Sequence, residues 1–104
     1  MKRFLPIFVL VAVAAVCAAG TKNSTRLFES AKQFDDENRF DMALPLYLKA
    51  DSAYVAEKQN ESAEYARSLH NTGRAYLNLN NIEKGREYTL KAVQLREKLF
   101  GKVI

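Results

Sequence analysis

Apolar residues in the second half of the chain recur at helical spacing, in two blocks separated by an asparagine-rich turn. Leu69, Gly73 and Tyr76 stand at i, i+4 and i+7, the inner face of a helix predicted from about Glu61 to Asn78. Asn80 and Asn81 suit a turn, because asparagine tolerates left-handed backbone. A further helix is predicted from about Ile82 to Phe100, with Gly85, Thr89 and Ala92 facing inward, then Leu95 and Leu99, and Gly101 as its stop. The first half reads the same way. Leu27, Ala31 and Phe34 share one face of a helix that Ser24 or Thr25 would cap. The pattern breaks around Asp36 to Arg39 and resumes near Phe40, where Ala43, Tyr47, Ala50 and Tyr54 form the next face. Asp41 is the expected cap of this second helix, which leaves Pro45 in its early turns, where a missing amide costs little.

The two halves are in register. Leu27, Ala31, Phe34, Phe40, Ala43, Tyr47 and Ala50 correspond to Leu69, Gly73, Tyr76, Ile82, Gly85, Thr89 and Ala92 at a constant offset of 42 residues. Apart from Thr89, each pair belongs to one size class, so the chain contains an internal repeat. Ala or Gly at the helix contacts permits close approach, and Phe34, Tyr47 and Tyr76 fill the space around them. This pattern resembles the tetratricopeptide repeat, in the longer variant found in kinesin light chains and many bacterial repeat proteins. Ala43-Leu44-Pro45-Leu46-Tyr47 is similar to that variant's second helix, and the run from Ala92 to Gly101 to its end. The resemblance covers about residues 27–101 and implies an all-α fold, two helix-turn-helix units stacked as a short right-handed solenoid. Two departures stand out: Thr89 occupies an aromatic position, and no His-Pro pair follows Gly101, which suggests that the next repeat is missing.

The N-terminus has a different pattern. Lys2 and Arg3 precede an unbroken apolar run from Phe4 to Val16, and small residues follow, the layout of a secretory signal peptide. A spanning helix needs roughly 20 apolar residues, so this run is short for a membrane anchor. Cleavage is expected after Ala19 or Gly20. Lipidation at Cys17 is the less favoured alternative, because Val16 is a poor residue immediately before a signal-peptidase cut; an uncleaved anchor is a lesser one. The expected division is a signal helix over 1–20, a connector over 21–25 and a repeat domain over 26–104, with repeats at about 26–59 and 61–101. The protein is expected to be exported, periplasmic or secreted. Its short basic start and compact apolar run look bacterial, so the sequons at Asn23 and Asn60 carry no weight.

Charge adds an asymmetry. The net charge of +4 falls to +2 once residues 1–20 are removed, which gives no warrant for nucleic-acid binding. Residues 21–64 carry a net −3 and residues 65–104 a net +5. No catalytic constellation is legible: there is one histidine, one cysteine and no phosphate-binding loop, so neither enzyme activity, cofactor nor metal is expected. Asp35, Asp36 and Glu37 read as a solvated helix end rather than a cation site.

The resemblance implies a non-enzymatic interaction scaffold whose first helices line a concave face for a protein or peptide segment. Phe28, Lys32 and Asp35 would line it from one helix, and Arg67, His70, Asn71 and Arg74 from the other. Arg67, Asn71 and Arg74 share a stripe suited to a carboxylate, so the partner is expected to be acidic. The alternatives are solubilising polarity, a self-associating unit joined head to tail through the apolar C-terminal helix, or a piece of a longer array. An enzyme is the remote alternative.

Overall fold

The computed structural model describes residues 22–101, so the expected signal peptide, Cys17 and the last three residues lie outside the described part. Among the described residues the protein is all-helical, with no strand and no helix long and apolar enough to cross a membrane. Its helices are α1 (Asn23–Asp36), α2 (Phe40–Ala56), α3 (Ala63–Asn78) and α4 (Ile82–Phe100). Each packs against the next, making two helical hairpins joined through α2 and α3.

The helix ends follow local chemistry. Asn38, Lys58 and Asn80 adopt left-handed backbone, with φ of 60°, 60° and 68°. Each lets the following amide reach back to a carbonyl of the last turn: Arg39 to Phe34 at 2.8 Å, Gln59 to Tyr54 at 2.8 Å and Asn81 to Tyr76 at 2.9 Å. These bonds satisfy carbonyls that the helix itself leaves free. The turns at Asn38 and Asn80 are hydrogen-bonded alike and stand 42 residues apart, so the repeat in the sequence is also a repeat of backbone geometry.

Two predicted helix starts and one predicted cap shift, while α2 begins at Phe40 as expected. Neither Ser24 nor Thr25 caps α1, which begins earlier, with Lys22 at the cap position and no side-chain capping bond. Ser24 instead lies buried in the first turn, where Glu57 at the end of α2 accepts its amide at 3.1 Å and its hydroxyl at 2.6 Å. A carboxylate from the neighbouring helix thus does the capping, at the end where the helix dipole favours negative charge. The Ser24 hydroxyl bond holds the Glu57 carboxyl below its ordinary range. Asp41 likewise lies inside the first turn of α2 rather than capping it, and Pro45 is exposed, so water can serve the carbonyl that its ring leaves unbonded. α3 starts at Ala63 rather than Glu61, because Ser62 takes the cap and accepts the Tyr65 amide at 3.1 Å. Asn81 caps α4 through Lys84, and Gly101 ends it with φ of 84°.

The core lies at the junction of α1, α2 and α3. Phe28, Ala31, Ala43, Tyr47, Ala50, Tyr54 and Ala75 are buried there, with Leu27 and Phe34 partly covered at its edge. Tyr47 is fully enclosed, with its ring 5.7 Å from that of Phe28. The expected inner positions of the second hairpin are covered too: Leu69, Gly73, Gly85 and Ala92 are buried, while Tyr76 is half-buried beside Tyr88 at 5.6 Å.

At Gly73 and Gly85 the backbones of α3 and α4 meet. A Cβ on Gly73 would lie 2.9 Å from the Thr89 amide nitrogen and 3.0 Å from the Gly85 oxygen, and neither backbone atom can rotate away. A Cβ on Gly85 would chiefly strike the Leu77 side chain at 2.5 Å, and Leu77 is partly exposed and free to swing. Gly73→Ala is therefore expected to destabilise the protein by about 1 kcal/mol or more, overpacking of about 1–3 kcal/mol being only partly offset by helix propensity. Gly85→Ala should cost less. Urea unfolding decides it; an unchanged midpoint for Gly73→Ala would refute this account of the crossing.

Candidate binding surface

The faces of α1 and α3 that lie side by side hold the residues expected to line a groove, and they fall into two sets. One set is spent on internal bonds. Tyr47 and Arg74 both donate to Asp35 Oδ2, and Asn71 Nδ2 donates to Tyr47 Oη at 3.3 Å. Asp35 and Asn71 are buried, so Asn71 holds the phenol rather than facing solvent. Burial, reinforced by the Asp35 carboxylate, pushes the Tyr47 phenol far above its ordinary value, so it remains the donor. Arg74 is half-exposed, yet part of its charge already answers Asp35. The two-arginine grip around an amide is thus not assembled: Asn71 points inward and Arg74 is engaged.

The second set faces out. Arg67 lies over the Phe28 ring, its guanidinium carbon 5.0 Å from the centroid, in a cleft also lined by Thr25, Glu29, Tyr54 and Glu64. This cation–π contact leaves the guanidinium N–H groups able to donate hydrogen bonds. Arg67 has no ion-pair partner among the described residues. His70 follows on the same helix; burial, with Arg96 and Arg74 nearby, pushes its imidazole below the ordinary value and favours the neutral ring. Lys32 is paired with Asp36 at 2.5 Å. The three acidic residues at the end of α1 are each engaged within the protein, Asp35 as above, Asp36 with Lys32 and Glu37 with Arg39 at 3.8 Å. No group of three potential metal ligands occurs among the described residues.

Sequence reasoning missed a second buried polar joint. Asp51 on α2 accepts from Ser68 Oγ at 2.6 Å and lies 2.7 Å from Thr72 Oγ1, both on α3. Ser68 and Thr72 at i and i+4 were the available signal, since two hydroxyls on an otherwise apolar helix face require a polar partner. The Thr72 hydroxyl also lies 2.8 Å from the Ser68 carbonyl, and its single proton cannot serve both acceptors. A protonated Asp51 resolves the conflict by donating to Thr72, which then donates to Ser68. Burial pushes the Asp51 carboxyl up to about 6, against the hydroxyl bonds and the charge of Lys91, which act the other way.

Because the folded state holds this proton more tightly than the unfolded chain, Asp51 lowers stability as pH rises from about 4 to about 7, and its effect is constant above that. Asp51→Asn keeps a donor toward Thr72 and cannot ionise. Its stability relative to the parent is expected to rise by about 2 kcal/mol between pH 4.5 and 7.5, the part of the shift that falls in that range at 1.36 kcal/mol per pKa unit. Urea titrations at pH 4.5 and 7.5 measure the difference, and a pH-independent difference would sink the assignment.

Compared with protein-family models and with curated proteins, the chain matches none.

Proposed function

We propose that the protein is an exported, non-enzymatic interaction module built from two tetratricopeptide-like repeats in a short right-handed solenoid, which binds an extended segment of another protein across α1 and α3. The 42-residue register, carried by side-chain size and by the matching turns at Asn38 and Asn80, supports the repeat reading. One observation carries the binding reading: the Arg67 guanidinium lies over Phe28, without an ion-pair partner among the described residues, and both line a cleft between the two helices. A guanidinium over an aromatic ring suits a peptide carboxylate beside an apolar side chain. Arg74 and His70 extend polarity along the same helix, while Asn71 acts from beneath by holding Tyr47. The first twenty residues supply the export reading, with a processed N-terminus at Thr21 or Gly20.

Arrays of acidic, basic and neutral decapeptides test the binding reading. Acidic members with an apolar residue should be retained, and Arg67→Glu should weaken them by roughly tenfold, a difference of about 1.4 kcal/mol. Arg67 is the residue to change, since removing Arg74 would also strip Asp35 of its partner. Equal retention by parent and variant would refute the role of Arg67. Intact mass of the protein recovered from the envelope or medium of an expressing bacterium tests export; an uncleaved cytoplasmic product would refute it.

A further inference from the structure

α4 carries a stripe that no other described helix covers. Ile82, Arg86, Leu90, Val93, Glu97 and Phe100 follow at spacings of 4, 4, 3, 4 and 3, which at about 100° per residue confines them to an arc of about 80°. Ile82, Leu90, Val93 and Phe100 are 54%, 53%, 44% and 69% exposed, a concentration of apolar surface that single scattered residues would not produce. Two adjoining hollows that share Val93 run along the stripe, one reaching Arg86 and the other Glu97. Neither Arg86 nor Glu97 has an ion-pair partner among the described residues.

The repeat register says what kind of surface this is. Leu90 and Val93 are the counterparts of Leu48 and Asp51, which lie where α2 receives α3. The stripe is therefore placed as a helix-docking face. A second copy seated head to tail would bring α1 onto α4 as α3 sits on α2, so Arg26 and Ser30 would take the places of Ser68 and Thr72. Both are exposed and polar, and they would meet Val93 instead of a carboxylate. That arrangement leaves polar groups against an apolar surface.

The stripe matches itself when reversed. Read in either direction it runs apolar, charged, apolar, apolar, charged, apolar, with the two charges opposite in sign. We infer that α4 is a homodimer interface, in which two copies pack α4 against α4 antiparallel about a two-fold axis near Lys91 and Ala92. Leu90 of one copy then faces Val93 of the other, Ile82 meets Phe100, and Arg86 faces Glu97. Each contact occurs twice, as an isologous interface requires. The two ion pairs set the register, and the apolar residues between them supply the association. This reading is independent of the proposed cleft around Arg67, which lies on α3.

Charge reversal provides a test specific to this register. Sedimentation velocity is run on protein expressed from the full chain, for the parent, Arg86→Glu, Glu97→Arg and the double variant. Both substituted residues are exposed, and each reversal suits the nearer end of the α4 dipole, so circular dichroism should show the same helix content throughout. The parent is expected to be dimeric, each single reversal to raise the dimer dissociation constant by roughly tenfold or more, and the double variant to return to within about threefold of the parent. A monomeric parent, species that grow beyond dimer with concentration, equal dissociation in all four proteins, or no rescue in the double variant would each overturn the proposal.

Discussion

Three helices meet at the phenol of Tyr47, and the placement of the second hairpin on the first depends on it. Its hydroxyl donates to Asp35 on α1 and accepts from Asn71 on α3, while Arg74 closes the group from the same helix. A buried carboxylate is tolerable only with partners of this kind, and losing one leaves a charge stranded in the interior. The ring beneath fills the core beside Phe28, so one side chain supplies packing and orientation together.

The joint between hairpins is therefore more polar than a helical repeat needs for stability alone. Asp35, Tyr47 and Asp51 bond to Arg74, Asn71 and Ser68 on α3, and each bond demands a particular rotation of that helix. Apolar packing would tolerate a range of crossing arrangements; these bonds select one. At the 42-residue offset the same positions become Leu77, Thr89 and Val93. The second unit thus exchanges hydrogen-bonding groups for apolar surface. Thr89 in place of an aromatic residue, with glycine at 73 and 85, lets α3 and α4 close until their backbones touch.

Much of this was legible in the linear pattern. Period and residue size located all four helices, and the α4 boundaries were read to the residue. Capping was less legible. Glu57 caps α1 from 33 residues away, so a local search for Ser or Thr finds Ser24 and assigns it the wrong role. The expected grip of Arg67, Asn71 and Arg74 on a carboxylate is not assembled for a related reason. Arg67, Asn71 and Arg74 share a stripe at helical spacing, but whether each points to solvent depends on what lies beneath, and Asp35 and Tyr47 lie 12 residues apart on two other helices.

The sequence by itself determined the helices, their turns, the duplicated register and the small residues at the crossings. These depend on short-range periodicity and on backbone sterics, which neighbours along the chain express directly. Only the tertiary structure decided which polar side chains are spent on internal bonds and which remain outside. Asp35, Asp51 and Asn71 look like surface groups in the sequence, yet they are interior, because hydrogen-bond donors and acceptors distant in sequence converge on them and compensate their loss of water. Arg67 differs from Arg74 on the same ground: no carboxylate among the described residues pairs with it.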